Sequence, residues 1–178
     1  LIVITAAALA LGACDPESPR WTIVERNLPG ALMSVWGASA TDVWAVGGDP
    51  DGSGPEVLHS DGASFAPVAT GETGDLWWVF GFANGPVYLG GAGGMILRYE
   101  NGAFTRMTTP GTATVFGIWG ASPDDVWAVG GASGGASGAF AWRLAGDVWL
   151  PEPTFPAELP ATEAMWKVSG RAADDVWL

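Results

Sequence analysis

Cysteine and histidine occur once each in the 178 residues, at Cys14 and His59. One cysteine excludes an internal disulfide framework. One histidine leaves neither a His-based metal cluster nor a Ser-His-Asp set, so no catalytic residues, metal or cofactor are assigned. Basic residues are also scarce: 7 Lys+Arg stand against 19 Asp+Glu, a formal net charge of −12. That balance excludes nucleic acid, whose phosphates need clustered cations, and it excludes docking on an anionic membrane surface. Charge of either sign is thin, at 15% of residues, against about 25% in an ordinary domain. Apolar residues make up 48% of the chain, which excludes disorder. What is abundant is Gly (27), Pro (13) and Trp (11), the composition of many short strands and turns.

Residues 1–13, LIVITAAALALGA, are uncharged and almost wholly apolar. They are too short for a spanning helix, which needs about 20 residues, but match the apolar region of an export signal. The segment ends Leu11-Gly12-Ala13-Cys14 and resembles the lipobox of bacterial lipoproteins, with the turn-forming Asp15-Pro16-Glu17-Ser18-Pro19 following. The resemblance implies cleavage before Cys14 and a diacylglycerol on its thiol. It places the protein in the cell envelope, outside the cytoplasm, held to the membrane by lipid alone. Residues 14–20 are then the lipidated cysteine and a linker, and 21–178 the folded part.

That folded part repeats. Trp36-Gly37 through Asp42-Val43-Trp44-Ala45-Val46-Gly47 returns as Trp119-Gly120 through Asp125-Val126-Trp127-Ala128-Val129-Gly130. Looser copies are Phe80-Gly81 through Val87-Tyr88-Leu89-Gly90 and Gly170 through Asp175-Val176-Trp177. Seven positions separate glycine from aromatic in all four, whereas the glycines lie 44, 39 and 50 residues apart. Fixed spacing inside a unit and elastic spacing between units mark a supersecondary element joined by variable loops, and this period is that of a propeller blade. Each unit reads as four short strands, a to d. Two-residue turns at Asp61-Gly62, Asn101-Gly102 and Ala145-Gly146 are expected to join c to d. Strand b is apolar throughout, so both of its faces must be covered. The expected fold is an all-β propeller of four-stranded blades, with about three complete blades and part of a fourth in an unclosed ring. Trp21-Thr22-Ile23-Val24 reads as a strand d without a blade of its own, available to complete the last one.

The apolar strand closed by diglycine resembles the kelch repeat, and the run Val-Gly…Gly-x-Ile-Leu…Asn-Gly is similar to sialidase-like (BNR-type) repeats. The aspartate box of the latter is absent. Neither resemblance assigns an activity.

Two sets of residues invite a functional reading. The repeated Asp42, Asp125 and Asp175 invite a calcium or sugar reading, but recurrence in every unit except the second favours a structural role in turns, where Asp accepts backbone amides. The repeated Trp44, Tyr88, Trp127 and Trp177 lie inside the all-apolar strand and read as packing between blades. The second set lies on the b–c and d–a connections, which emerge on one face and vary in length: Asp49, Asp51, Glu56, Glu72, Asp75, Glu152, Glu158 and Glu163, without Lys or Arg. Trp77 and Trp78, at the entry to the second unit, read as without counterparts and as candidates for that face. The expected function is a binding or scaffolding module for a protein, peptide or carbohydrate, attracting a cation or basic polymer to its acidic face. The alternatives are the propeller of a secreted hydrolase or oxidase with catalytic residues elsewhere, and a pilus- or adhesion-associated propeller. Oligomeric state is left open.

Overall fold

The computed structural model describes residues 23–132, 138–156 and 163–178. Their regular structure is all strand apart from one short 3-10 turn, Ala92–Gly94. The first sheet holds β1 (Leu32–Ser39), β2 (Asp42–Gly47), β3 (Val57–Ser60) and β4 (Phe65–Pro67). The second holds β5 (Leu76–Gly81), β6 (Val87–Gly91), β7 (Ile96–Glu100) and β8 (Ala103–Arg106). The third holds β9 (Thr114–Ser122), β10 (Asp125–Gly131), β11 (Phe140–Ala145) and β12 (Val148–Pro151). A hairpin of β13 (Ser169–Ala172) and β14 (Asp175–Trp177) begins a fourth. Every sheet is an antiparallel meander whose strands pair in chain order.

The sheets pack face to face in sequence. Trp44, Val46 and Val57 of the first meet Val79, Leu89 and Leu97 of the second. Tyr88 and Ile96, on the second sheet's other face, meet Ile118, Val126, Ala128 and Trp142 of the third. Val129 and Ala141 of the third then meet Val168, which leads into β13. This is why strand b carries no polar alternation: its residues are buried from both sides, as in β6, where all five are.

A second regularity links each first strand to an aromatic of the sheet before it, on or just after that sheet's own first strand. The six-ring of Trp36 lies so close to Gly81 that an added Cβ would sit 2.8 Å from Trp36 Cη2. Trp119 stands over Gly170 in the same way, at 2.5 Å, and Phe82 over Gly120 at 2.8 Å. The repeated glycine is thus a notch for an aromatic of the sheet before it.

Several local expectations change. Asn101-Gly102 is the two-residue turn expected, both residues at positive φ (52° and 82°). The third-sheet turn is Gly146-Asp147, because Ala145 still pairs with Val148. Asp61-Gly62 opens a four-residue connection, since β4 begins only at Phe65; the Asp61 carboxylate accepts the Ala63 amide at 2.9 Å and shapes it. Ile23 and Val24 are exposed and in no strand, while Trp21 and Thr22 lie outside the described residues.

Candidate functional site

In an antiparallel meander the b–c and d–a connections leave the sheet at the same end. At the first sheet these are residues 48–56 and 68–75, and they are tied to each other. Asp49 Oδ1 accepts the Gly54 amide at 3.0 Å and Oδ2 accepts the Gly74 amide at 2.7 Å. Asp75 Oδ1 in return accepts the Asp49 amide at 2.8 Å. The Gly74 and Gly54 amides hold the Asp49 carboxyl below the usual aspartate range, because each donates to its charged form. Asp51 is lowered likewise by the Ser53 hydroxyl and amide. Three of the acidic residues assigned to this face therefore build its loops.

The others divide. Glu72 is paired with Arg106 at the end of β8, so a basic residue does reach this rim. Glu152 is occupied by the amide and hydroxyl of Thr154, at 3.1 and 2.7 Å. Glu163 is exposed beside Gly131 of β10. Glu158 and Cys14 lie outside the described residues. Glu56 has no ion pair among the described residues and lines a groove of about 600 Å³. The groove walls are the coil at Glu25–Pro29, the stretch from Ser53 to Leu58, and the return from Pro67 to Thr73. Glu25, Glu56 and Glu72 are among the residues of an otherwise mostly apolar lining. Of the acids assigned from sequence, Glu56 and Glu72 are thus brought to one cavity. Glu25 was not assigned to it, because it precedes the first repeat and only the fold of the leading coil brings it there.

Trp77 and Trp78 are half-buried and serve contacts between sheets. The Trp77 ring meets Phe116 edge-on at 5.3 Å, and Phe116 stacks on Trp166 at 4.3 Å. Trp77, Phe116 and Trp166 each stand four residues before a repeat glycine, as does Met33, so Trp77 does have counterparts. Trp78 Nε1 donates to the Ile118 carbonyl at 2.8 Å, and Lys167 Nζ sits 3.5 Å over its ring.

At the opposite end of the sheets the repeated aspartates take partners other than turn amides. Asp42 Oδ1 accepts Trp44 Nε1 at 3.1 Å and contacts His59 Nε2 at 2.9 Å, and the imidazole stacks on the indole at 4.3 Å. Strand pairing places His59 opposite Trp44, Arg98 opposite Tyr88, and Arg143 opposite Trp127. Arg143 accordingly pairs with Asp125 and lies 4.6 Å over Trp127. Asp175 accepts Trp177 Nε1 and Arg171 Nε, both at 2.7 Å. The second repeat has Pro86 in place of the aspartate, and Arg98 turns to Asp147 of the next sheet at 2.7 Å. The first and third clusters lock strand b to strand c, Arg98 ties the second sheet to the third, and Arg171 ties β13 to β14, with the Trp44 and Tyr88 rings buried.

Among the described residues no three His, Cys, Asp or Glu are grouped to hold a metal ion, and no helix is long and apolar enough to cross a membrane. No protein-family model matches the chain, and no curated protein matches its sequence.

Proposed function

We propose that the protein is a β-propeller binding module, anchored in the cell envelope through a lipid on Cys14, which holds a cationic partner at its loop face. The propeller reading is supported by the approach of Lys167 to Trp78, two sheets away. Stacked sheets stand about 10 Å apart, so alternate sheets in a straight stack would stand about 20 Å apart. A direct contact between them fits first strands that converge on an axis. The envelope address rests on the apolar stretch 1–13 running into Leu11-Gly12-Ala13-Cys14.

The observation that carries the binding reading is the groove between the first-sheet loops. It has the size of a ligand cleft, apolar walls, and carboxylates at Glu25 and Glu56 with no basic partner among the described residues. Such a lining complements a side chain or polymer that couples an apolar stem to a positive charge, as lysine and arginine do. The long-range field of a chain at −12 attracts the same partners. The test is capture of basic peptides by the natural full-length protein at low and moderate salt. Salt-sensitive capture that weakens in Glu56→Gln supports the reading; capture indifferent to both contradicts it.

A further inference from the structure

We infer that the front face of the first sheet is covered, in the working protein, by a further sheet of the same repeat from the same polypeptide, which seats an aromatic ring on Gly37. The inference rests on the propeller reading and adds to it the place of closure and the chemistry of what closes it.

The argument is one of equivalent positions. Strand pairing sets Val35, Ala45 and Leu58 in a row across the first sheet. The equivalent rows are Val79, Leu89 and Leu97 in the second sheet and Ile118, Ala128 and Trp142 in the third. Those rows are the faces that receive the preceding sheet, and their first residues are 2% and 1% exposed. Val168, the counterpart before β13, is 4% exposed. Ala45 and Leu58 are 5% and 4% exposed, but Val35 at the first-strand edge of the row is 68% exposed, with Leu32 and Met33 also open beside it. An apolar groove of about 340 Å³ runs there, lined by Val24, Leu32, Met33, Val35, Ala45, Leu58 and Phe65 among others. A β-branched residue conserved in kind at four equivalent positions, buried at three and bare at one, marks an interface with one member absent.

The glycine notch says what that member brings. Gly81, Gly120 and Gly170 each receive an aromatic ring from the sheet before. Around Gly37 the near atoms are Asp42 O, Val43 Cγ2 and Ser39 O, all from its own sheet, and the cross-sheet ring is not among them. A second copy of this chain docking head to tail is a poorer fit. Positions 169 and 171, which flank Gly170 as Trp36 precedes Gly37 and Phe82 follows Gly81, are serine and arginine, so the fourth sheet offers no ring at that place. The occupant is therefore a repeat with an aromatic next to the glycine of its first strand, as Trp36, Phe82 and Trp119 are. Continuity with the three interfaces already formed favours a covalently linked neighbour, which assembles without the cost of association.

The experiment compares Val35→Asp with Val79→Asp in the natural full-length protein, reading the thermal midpoint at two protein concentrations. The inference predicts that both variants lower the midpoint by similar amounts, independently of concentration. A silent Val35→Asp beside a damaging Val79→Asp would overturn the covering sheet and leave the stacked sheets standing. If both are silent, the stacking itself is wrong. Concentration-dependent loss would overturn the inference in favour of a second copy. Because an aspartate variant can fail to fold, Val35→Cys in a Cys14→Ser background provides a second reading. Native protein is expected to protect this thiol from a water-soluble maleimide until it is unfolded, and immediate labelling would overturn the proposal.

Discussion

Lys167 and Trp78 belong to the fourth and second repeats, yet the ammonium lies 3.5 Å from the centre of the indole. The third repeat makes room between them at Gly117, where an added Cβ would sit 3.4 Å from Lys167 Cα and 3.2 Å from the Val168 amide. A double-mutant cycle of Lys167→Met and Trp78→Phe in urea should give a coupling of about 0.5–1 kcal/mol, typical of an exposed cation–π pair. Gly117→Leu should lower stability by about 1–3 kcal/mol, as overpacking does. Zero coupling would separate the two repeats.

The Asp42 carboxylate ties Trp44 to His59 across two strands. Asp42→Ala leaves the Trp44 indole N–H without its partner and should cost about 1–3 kcal/mol by chemical denaturation. Trp44→Ala, which empties a site between two sheets, should cost about 3–5 kcal/mol. If Asp42 instead held a cation, adding or chelating calcium would move the wild-type midpoint; no movement is expected.

Acid should loosen the loop face. Asp49 and Asp51 on that face, and Asp61 in the β3–β4 turn at the opposite end, are held below the usual aspartate range by hydrogen bonds to their charged forms. Because the folded values are depressed, their stabilising contribution is complete above the unfolded value and is lost as pH falls through the folded ones. The urea midpoint should therefore be flat from about pH 7 to about pH 5 and decline below about pH 4. Asp49→Asn should lower the midpoint at neutral pH and make the acid decline shallower. An unchanged acid limb in that variant would show that the Gly54 and Gly74 amides do not matter.

The envelope address has its own test. A bacterium expressing the natural gene should incorporate labelled fatty acid into the protein and retain it in membranes. Cys14→Ser should abolish the label and release the protein. A labelled Cys14→Ser variant would place the lipid elsewhere.

The repeat makes most of this fold legible in the sequence. Glycine, aspartate and tryptophan at fixed offsets define the a–b hairpin, and an unbroken apolar strand b demands cover on both faces. Cross-strand partners were not legible. His59 and Arg143 lie opposite Trp44 and Trp127 only because of the b–c register, and the loops between those strands differ in length. From sequence alone the aspartates therefore read as turn acceptors. Trp77 reads as singular in the sequence because its equivalents, Met33, Phe116 and Trp166, share a position but not a residue type. The acidic face was visible as composition. Which of its carboxylates are consumed by loop amides, as at Asp49, is decided by backbone geometry that spacing does not encode.

The claim that the loop face holds a cationic partner is tested most directly by calorimetric titration of the natural full-length protein with a short oligolysine. It should bind at about 20 mM salt and weaken severalfold at about 150 mM, where the screening length falls to about 8 Å. The double variant Glu25→Gln, Glu56→Gln should weaken it further while leaving the thermal midpoint unchanged. Binding of equal strength in both salts and in both proteins, or none at all, would contradict the account.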